Sequence, residues 1–154
     1  MNIGRFFKPL LYNAAQGIIP TVSGWDTPPS DLYKATDGDP DTTTGTGSTE
    51  RSSAGTFGYI DLNLNIKGIY LVGLKVGIWS TTNSISVYLY SKSDGINYEK
   101  ATEYPIVYHS SNNEHVHNGD GVIINGQHVR IRFYISGAAT GYVNIYEIWA
   151  YKLG

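Results

Sequence analysis

Cysteine is absent from the 154-residue chain, which excludes disulfides, thiol nucleophiles and cysteine-ligated zinc while leaving the redox compartment open. Charge is sparse: Asp, Glu, Lys and Arg make up 16% of the residues, the formal net charge is -2 and the pI is about 6.0. A surface for nucleic acid or for anionic lipid needs a basic excess that such a chain lacks, so both partners are set aside. No apolar run is long enough to enter a membrane as a spanning helix. In the opening segment "MNIGRFFKPLLYNAAQGIIP", Pro9 and the polar "YNAAQG" interrupt the apolar stretch, so no secretory leader is expected. Helix signals are missing too, because no segment combines helical spacing of apolar residues with caps.

What the chain does have is glycine, tyrosine and alternation. Gly 18 and Tyr 13, with abundant Thr, Ser and Asn, give the composition of turn-rich β structure, and 41% hydrophobic residues suffice for one core. The length leaves room for a single domain. Between Ile19 and Asp41, Pro20, Pro28, Pro29 and Pro40 with Gly24 and Gly38 predict irregular chain with short extended pieces. From Phe57 onward the pattern is that of strands. In "YIDLNLNI", Ile60, Leu62, Leu64 and Ile66 alternate with polar residues, the period of a strand with one buried face. "IYLVGLKVGIW", "ISVYLYSKS", "PIVYHS", "GVIING", "HVRIRFYIS" and "YVNIYEIWAYKL" follow, separated by glycine and asparagine turns. Successive strands without helical crossovers predict an antiparallel sandwich or barrel. The low-complexity "TTTGTGSTERSSAGTFG" reads as a mobile surface loop, with a ligand-lining loop as the alternative.

Two groups of residues invite chemistry. "KATDGDPDT", Lys34 to Thr42, places Asp37, Asp39 and Asp41 at alternating positions. Such a turn is either solvated or a source of oxygen ligands for a hard cation, and it lacks the spacing of an EF-hand. His109, His115, His117 and His128 are the second group: "HVH" would put two rings on one face of a strand as a zinc pair, but the polar "SSNNEHVHNGDG" around it favours exposed loop histidines. Nucleophile elbows, phosphate loops and a framework for paired catalytic carboxylates are all lacking, so the chain is read as non-catalytic. For a shallow saccharide site the residue types that matter are aromatic rings against the apolar face of a sugar and Arg, His or Asn for its hydroxyls. Trp25, Arg51, Trp79, His109, Asn112 and Tyr142 are the candidates, with Tyr98 beside them. Trp79 and Trp149 end apolar runs and fit a core as well as a site.

The order of motifs resembles the discoidin or coagulation-factor type C family, whose members are galactose-binding-like jelly rolls. "PTVSGWDTPPSDLYKATDGDPDT" is similar to its opening segment and Asp-Gly turn, and "FGYIDLNLNIKGIYLVGLKV" to its first strand pair. "VYLYSKSDGINYEK" is similar to its strand with Ser-x-Asp-Gly and an aromatic, "GQHVRIRFY" to its Arg-bearing strand, and "VNIYEIWAYKLG" to its closing Glu-Ile strand. The resemblance covers residues 20–154 and leaves 1–19 as an N-terminal arm or extra strand. It implies an antiparallel jelly-roll sandwich and one structural Ca2+. The implied ligands are the carbonyls of Lys34, Asp39 and Tyr146, the carboxylates of Asp37 and Glu147, and Thr42 through carbonyl and hydroxyl. The family's tryptophan shortly after that threonine is missing from "TTTGTGS", which implies a remodelled loop.

The expected function is therefore non-catalytic carbohydrate binding and adhesion, displayed in several copies on a virion or extracellular surface. The alternative is a purely structural bacteriophage virion protein: a capsid decoration, head fibre or tail component. Phe6, Phe7, Leu10 and Leu11 form an apolar cluster by which residues 1–15 would dock onto virion or surface proteins or drive homo-oligomerisation.

Overall fold

A computed structural model describes residues 12–110 and 112–154. The docking cluster at Phe6 to Leu11 lies outside the described residues. The elements are β1 (Thr21–Ser23), a 3-10 turn (Leu32–Ala35), β2 (Gly47–Arg51), β3 (Gly55–Ser80), β4 (Ile85–Ser91), β5 (Glu99–Lys100), β6 (Val107–His109), β7 (His115–Ile135) and β8 (Ala139–Lys152). Every pairing is antiparallel, as the alternating apolar pattern predicts.

β3 and β7 are long because each serves two sheets in turn. The second half of β3 pairs β8 from Tyr70 to Ser80, and β8 pairs β2, so the first sheet runs β2, β8, β3, β7. The first half of β3 pairs β1 and the second half of β7, and β7 pairs β4, so the second sheet runs β1, β3, β7, β4, with β5 and β6 on the far side of β4. The corner lies where the β3–β7 register slips between Asn63 and Gly68. Asn65 turns there at φ 69, its N–H bonded to Asn63 Oδ1 at 2.9 Å, a local side-chain turn that asparagine tolerates. Across from it Gly126 has φ 133, and a Cβ there would stand 2.7 Å from the Lys92 carbonyl.

Between the sheets lies one apolar core. Ile60 and Leu62 of β3, Leu89 of β4, and Ile131 and Phe133 of β7 face Tyr70, Val72, Leu74, Val76 and Ile78 of the β3 second half and Val143, Ile145 and Ile148 of β8. Removing one such side chain back to Cβ costs about 2–5 kcal/mol. The segment 12–19, counted in the sequence with the arm, runs beside β8: Asn13 bridges Tyr151, Ala14 N–H bonds Ala150 O at 2.8 Å, and Ala14 and Ala15 are buried.

Two local expectations are corrected. Most of the "TTTGTGSTERSSAGTFG" stretch is ordered β structure: β2 zips onto β8 from Gly47↔Val143 to Arg51↔Ala139, because β8 offers an open edge whose backbone groups need partners. "HVH" is no loop but the start of β7, since His117 pairs Val76 and His115 pairs Ile78 on the neighbouring strand.

Candidate functional site

The acidic turn is built by its own side chains. Asp37 Oδ1 accepts the Asp39 N–H and Asp39 Oδ1 accepts the Asp41 N–H, each at 2.9 Å, two successive aspartate turns. Gly38 between them has φ 83, which glycine adopts without strain. The Thr42 hydroxyl lies 2.7 Å from Asp37 Oδ2 and 3.2 Å from the Asp39 carbonyl. These hydrogen bonds, that from the Asp39 N–H first and that from the Thr42 hydroxyl next, hold the Asp37 carboxyl below its ordinary range.

This turn lies against β8 where the β3–β8 register shifts between Lys75 and Val76, Lys75 pairing Glu147 and Val76 pairing Ile145. The extra residue is Tyr146, a bulge that brings Tyr146 and Glu147 together on the outer face. Lys75 stands 4.9 Å from the Tyr146 ring and donates from Nζ to Pro40 O at 3.0 Å, tying the turn to the sheet. Glu147 is 7% exposed although it points away from the core, because the turn covers it. Its Oε2 is buried without a hydrogen-bond partner. Burial first, then the negative charges of Asp37 and Asp39, push its carboxyl up to about 7, against the pull of a hydrogen bond from the Gly38 N–H.

A buried carboxylate oxygen with no donor, facing two aspartates, fits a hard cation that takes oxygen ligands. Among the described residues no three His, Asp or Glu side chains form a metal site by themselves. For such an ion, carbonyls and the Thr42 hydroxyl would have to supply much of the shell, as in the ligand set that the family resemblance implies.

The second feature starts next to this turn. Asn144 Nδ2 donates to Thr43 Oγ1 at 2.9 Å, and Thr44 and Ile145 exchange two bonds, Thr44 N–H to Ile145 O at 2.9 Å and Ile145 N–H to Thr44 Oγ1 at 3.0 Å. Asn144 lies flat over Gly77, where a Cβ would come within 2.4 Å of its Oδ1. Beyond it, Trp79 and Tyr142 face each other across β3 and β8, their ring centroids 4.5 Å apart and tilted by 30°. Trp79 Nε1 donates to the Asn112 carbonyl, fixing the indole and the loop that follows β6. Thr46, Asn113, Glu114 and Asn144 complete the walls of a pocket of about 330 Å³ around the two rings. Two aromatic faces flanked by amides, a hydroxyl and one carboxylate can take a ligand with both apolar and hydroxylated surfaces.

Trp79, Tyr142 and Asn112 are thus brought together; the other ligand candidates lie elsewhere. Trp25 packs on Phe57 and Phe133 at 5.6 and 5.4 Å, with Nε1 bonded to Tyr59 O at 3.0 Å, and fills the space over Gly58. Arg51 on β2 braces the chain, bonding Thr56 O at 3.1 Å and standing 3.8 Å from Asp26. His109 is 1% exposed, its Nδ1 2.9 Å from His117 Nε2, with the His115 ring 5.7 Å away. Burial first and His115 second hold the His117 imidazole below its ordinary value. This cluster joins the edge of one sheet to the edge of the other. Thr46, Asn113, Glu114 and Asn144 escaped the sequence reading, although alternation in "GYVNIY" puts Asn144 on the same face as Tyr142.

No protein-family model and no curated protein matches the sequence. Among solved structures, the chain is similar to CBM32-3 from a family 31 glycoside hydrolase of Clostridium perfringens, with a TM-score of 0.53 and 14% identity over 99% of each chain. It is also similar to chitosan-binding module 1 derived from the chitosanase/glucanase of Paenibacillus sp. IK-5, with a TM-score of 0.50 and 14% identity over 91% of this chain and 98% of that one. The fold is that of these modules, the antiparallel galactose-binding-like jelly-roll sandwich.

Proposed function

We propose that the protein is a non-catalytic carbohydrate-binding module that takes a saccharide on the Trp79–Tyr142 platform. The carrying observation is the half-buried aromatic pair lining a polar pocket. The shared fold with modules of which one is named for binding chitosan supports it, and so does the order of discoidin-like motifs. Among the described residues Glu114 is the one carboxylate lining the pocket. That suits an amino sugar's ammonium and falls short of the carboxylate pair that glycoside hydrolysis requires.

One Ca2+ belongs to this reading, held by the carboxylates of Asp37 and Glu147, by Thr42 and by the carbonyls of Lys34, Asp39 and Tyr146. The ion would supply charge neutralisation and rigidity. The chain's own Thr43–Asn144 and Thr44–Ile145 bonds then carry that rigidity to the pocket wall. A shallow platform binds weakly, so adhesion calls for several copies on a virion or other surface.

The test is calorimetric titration of the full chain with chitosan oligosaccharides, backed by a glycan array. Trp79→Ala is expected to weaken binding at least about tenfold, with His109→Ala and Arg51→Ala near wild type. Absence of saccharide binding, combined with specific capture by capsid or tail proteins, would favour the purely structural virion alternative.

A further inference from the structure

The outer face of the second sheet carries its own array. Register across β3, β7, β4 and β5 aligns Tyr59, Arg132 and Tyr88 in one row and Asp61, Arg130, Tyr90 and Lys100 in the next. The cations of this face all lie against tyrosine rings. Arg130 is held between Tyr59 and Tyr98 at 4.5 and 4.3 Å, and Arg132 between Tyr88 and Tyr134 at 5.9 and 5.2 Å. Lys100 stands 4.4 Å from Tyr88 and Lys92 4.5 Å from Tyr98. Stacking fixes these charges in place before any partner arrives.

Asp61 neutralises only Arg130, which it grips in a fork at 2.8 and 2.9 Å. Arg132 bonds the neutral oxygens of Thr56 and Tyr90, and among the described residues Arg132, Lys92 and Lys100 have no carboxylate partner. Beside the rows is a depression of about 360 Å³ lined by Tyr98, Asn63, Asn65, His128 and Thr21, and by Asp61, whose carboxylate is taken up by Arg130. Near Lys92 and Lys100, Asp94 closes its own turn on the Ile96 and Asn97 N–H groups and Glu99 precedes Lys100 on β5, while Asp37, Asp39, Glu147 and Glu114 gather around the first sheet and its pocket.

We propose that this face is a second binding surface, independent of the Trp79–Tyr142 pocket, for a saccharide chain bearing carboxylates. Hydroxyls of one sugar occupy the depression against Asn63, Asn65 and His128, and carboxylates of the chain meet the Lys92, Lys100 and Arg132 charges. The rings of Tyr59, Tyr88, Tyr98 and Tyr134 are already engaged by cations, which leaves little free platform on which nucleic-acid bases stack. What remains to bind with is charge and N–H or O–H donors, the chemistry of uronates.

The experiment is titration of the full chain with oligogalacturonates at low and moderate salt. Wild type is expected to bind, more weakly as salt rises. Lys92→Gln/Lys100→Gln is expected to lose roughly fivefold in affinity, His128→Ala to weaken binding as well, and Trp79→Ala to leave it unchanged. Lys100 is exposed and Lys92 half-buried over Tyr98, and an unchanged melting temperature verifies that the double variant folds. Three results overturn the proposal: no oligogalacturonate binding, binding lost in Trp79→Ala but intact in the double lysine variant, or a single-stranded oligonucleotide of equal charge binding as tightly through the same lysines. The Trp79 arm separates failure of this surface from failure of the first pocket.

Discussion

Glu147 carries its ionisation as a stability term. In the folded, metal-free chain its carboxyl titrates at about 7 instead of the ordinary 4.5, so between these values the folded chain holds a proton that the unfolded chain has released. Its contribution is full below about pH 4.5 and is lost as pH rises through 7. Melting of the metal-free protein at about pH 5 and about pH 8 is therefore expected to show a higher midpoint at the acid value from this residue. Glu147→Gln, which cannot ionise, is expected to flatten that difference; an unchanged pH profile in the variant would refute the assignment. Deprotonation also prepares the site for a cation, so metal affinity is expected to climb over the same interval.

At the scale of elements, close approaches decide what fits where. Gly58 on β3 leaves the space that the Trp25 ring fills, and a Cβ there would come within 2.2 Å of the indole. Gly58→Ala is expected to destabilise the fold by about 1–3 kcal/mol, the usual cost of overpacking, and to change the near-ultraviolet circular dichroism as Trp25 leaves Phe57 and Phe133. A variant melting like wild type would show that the slot is loose. The same paired geometry explains which elements the sequence revealed. The apolar alternation of Ile60, Leu62 and Leu64, or of Val143 and Ile145, is enforced by the core and readable in one dimension. β2 was hidden, because Gly47–Arg51 earns its extended form from the β8 edge and has no large apolar side chain of its own. Asp37, Thr42 and Glu147 were named from the sequence through a family resemblance, and the bulge at Tyr146 is what turns a strand glutamate under a distant turn. The Trp79–Tyr142 contact depends on register between strands far apart in sequence, so composition alone left both rings among several candidates.

For the whole molecule, the acidic turn and the Trp79–Tyr142 pocket share one frame. Saturating Ca2+, at about 100 times its Kd, is expected to stabilise the chain by about 2.7 kcal/mol, a rise in melting temperature of roughly 5–10 °C. Chelator should reverse it, and Asp37→Ala should abolish it; a melting temperature indifferent to Ca2+ and chelator alike would leave the acidic loop as a turn and nothing more. The frame itself owes its unity to β3 and β7, which run from one sheet into the other without a break. In a sandwich whose sheets share no strand, one leaf can peel away while its partner keeps its ladder. Here either leaf that opens pulls on the backbone of both, so the amide protons on the two sides of the corner are expected to exchange with solvent as a single unit, with local breathing confined to the short outer strands β1, β2, β5 and β6.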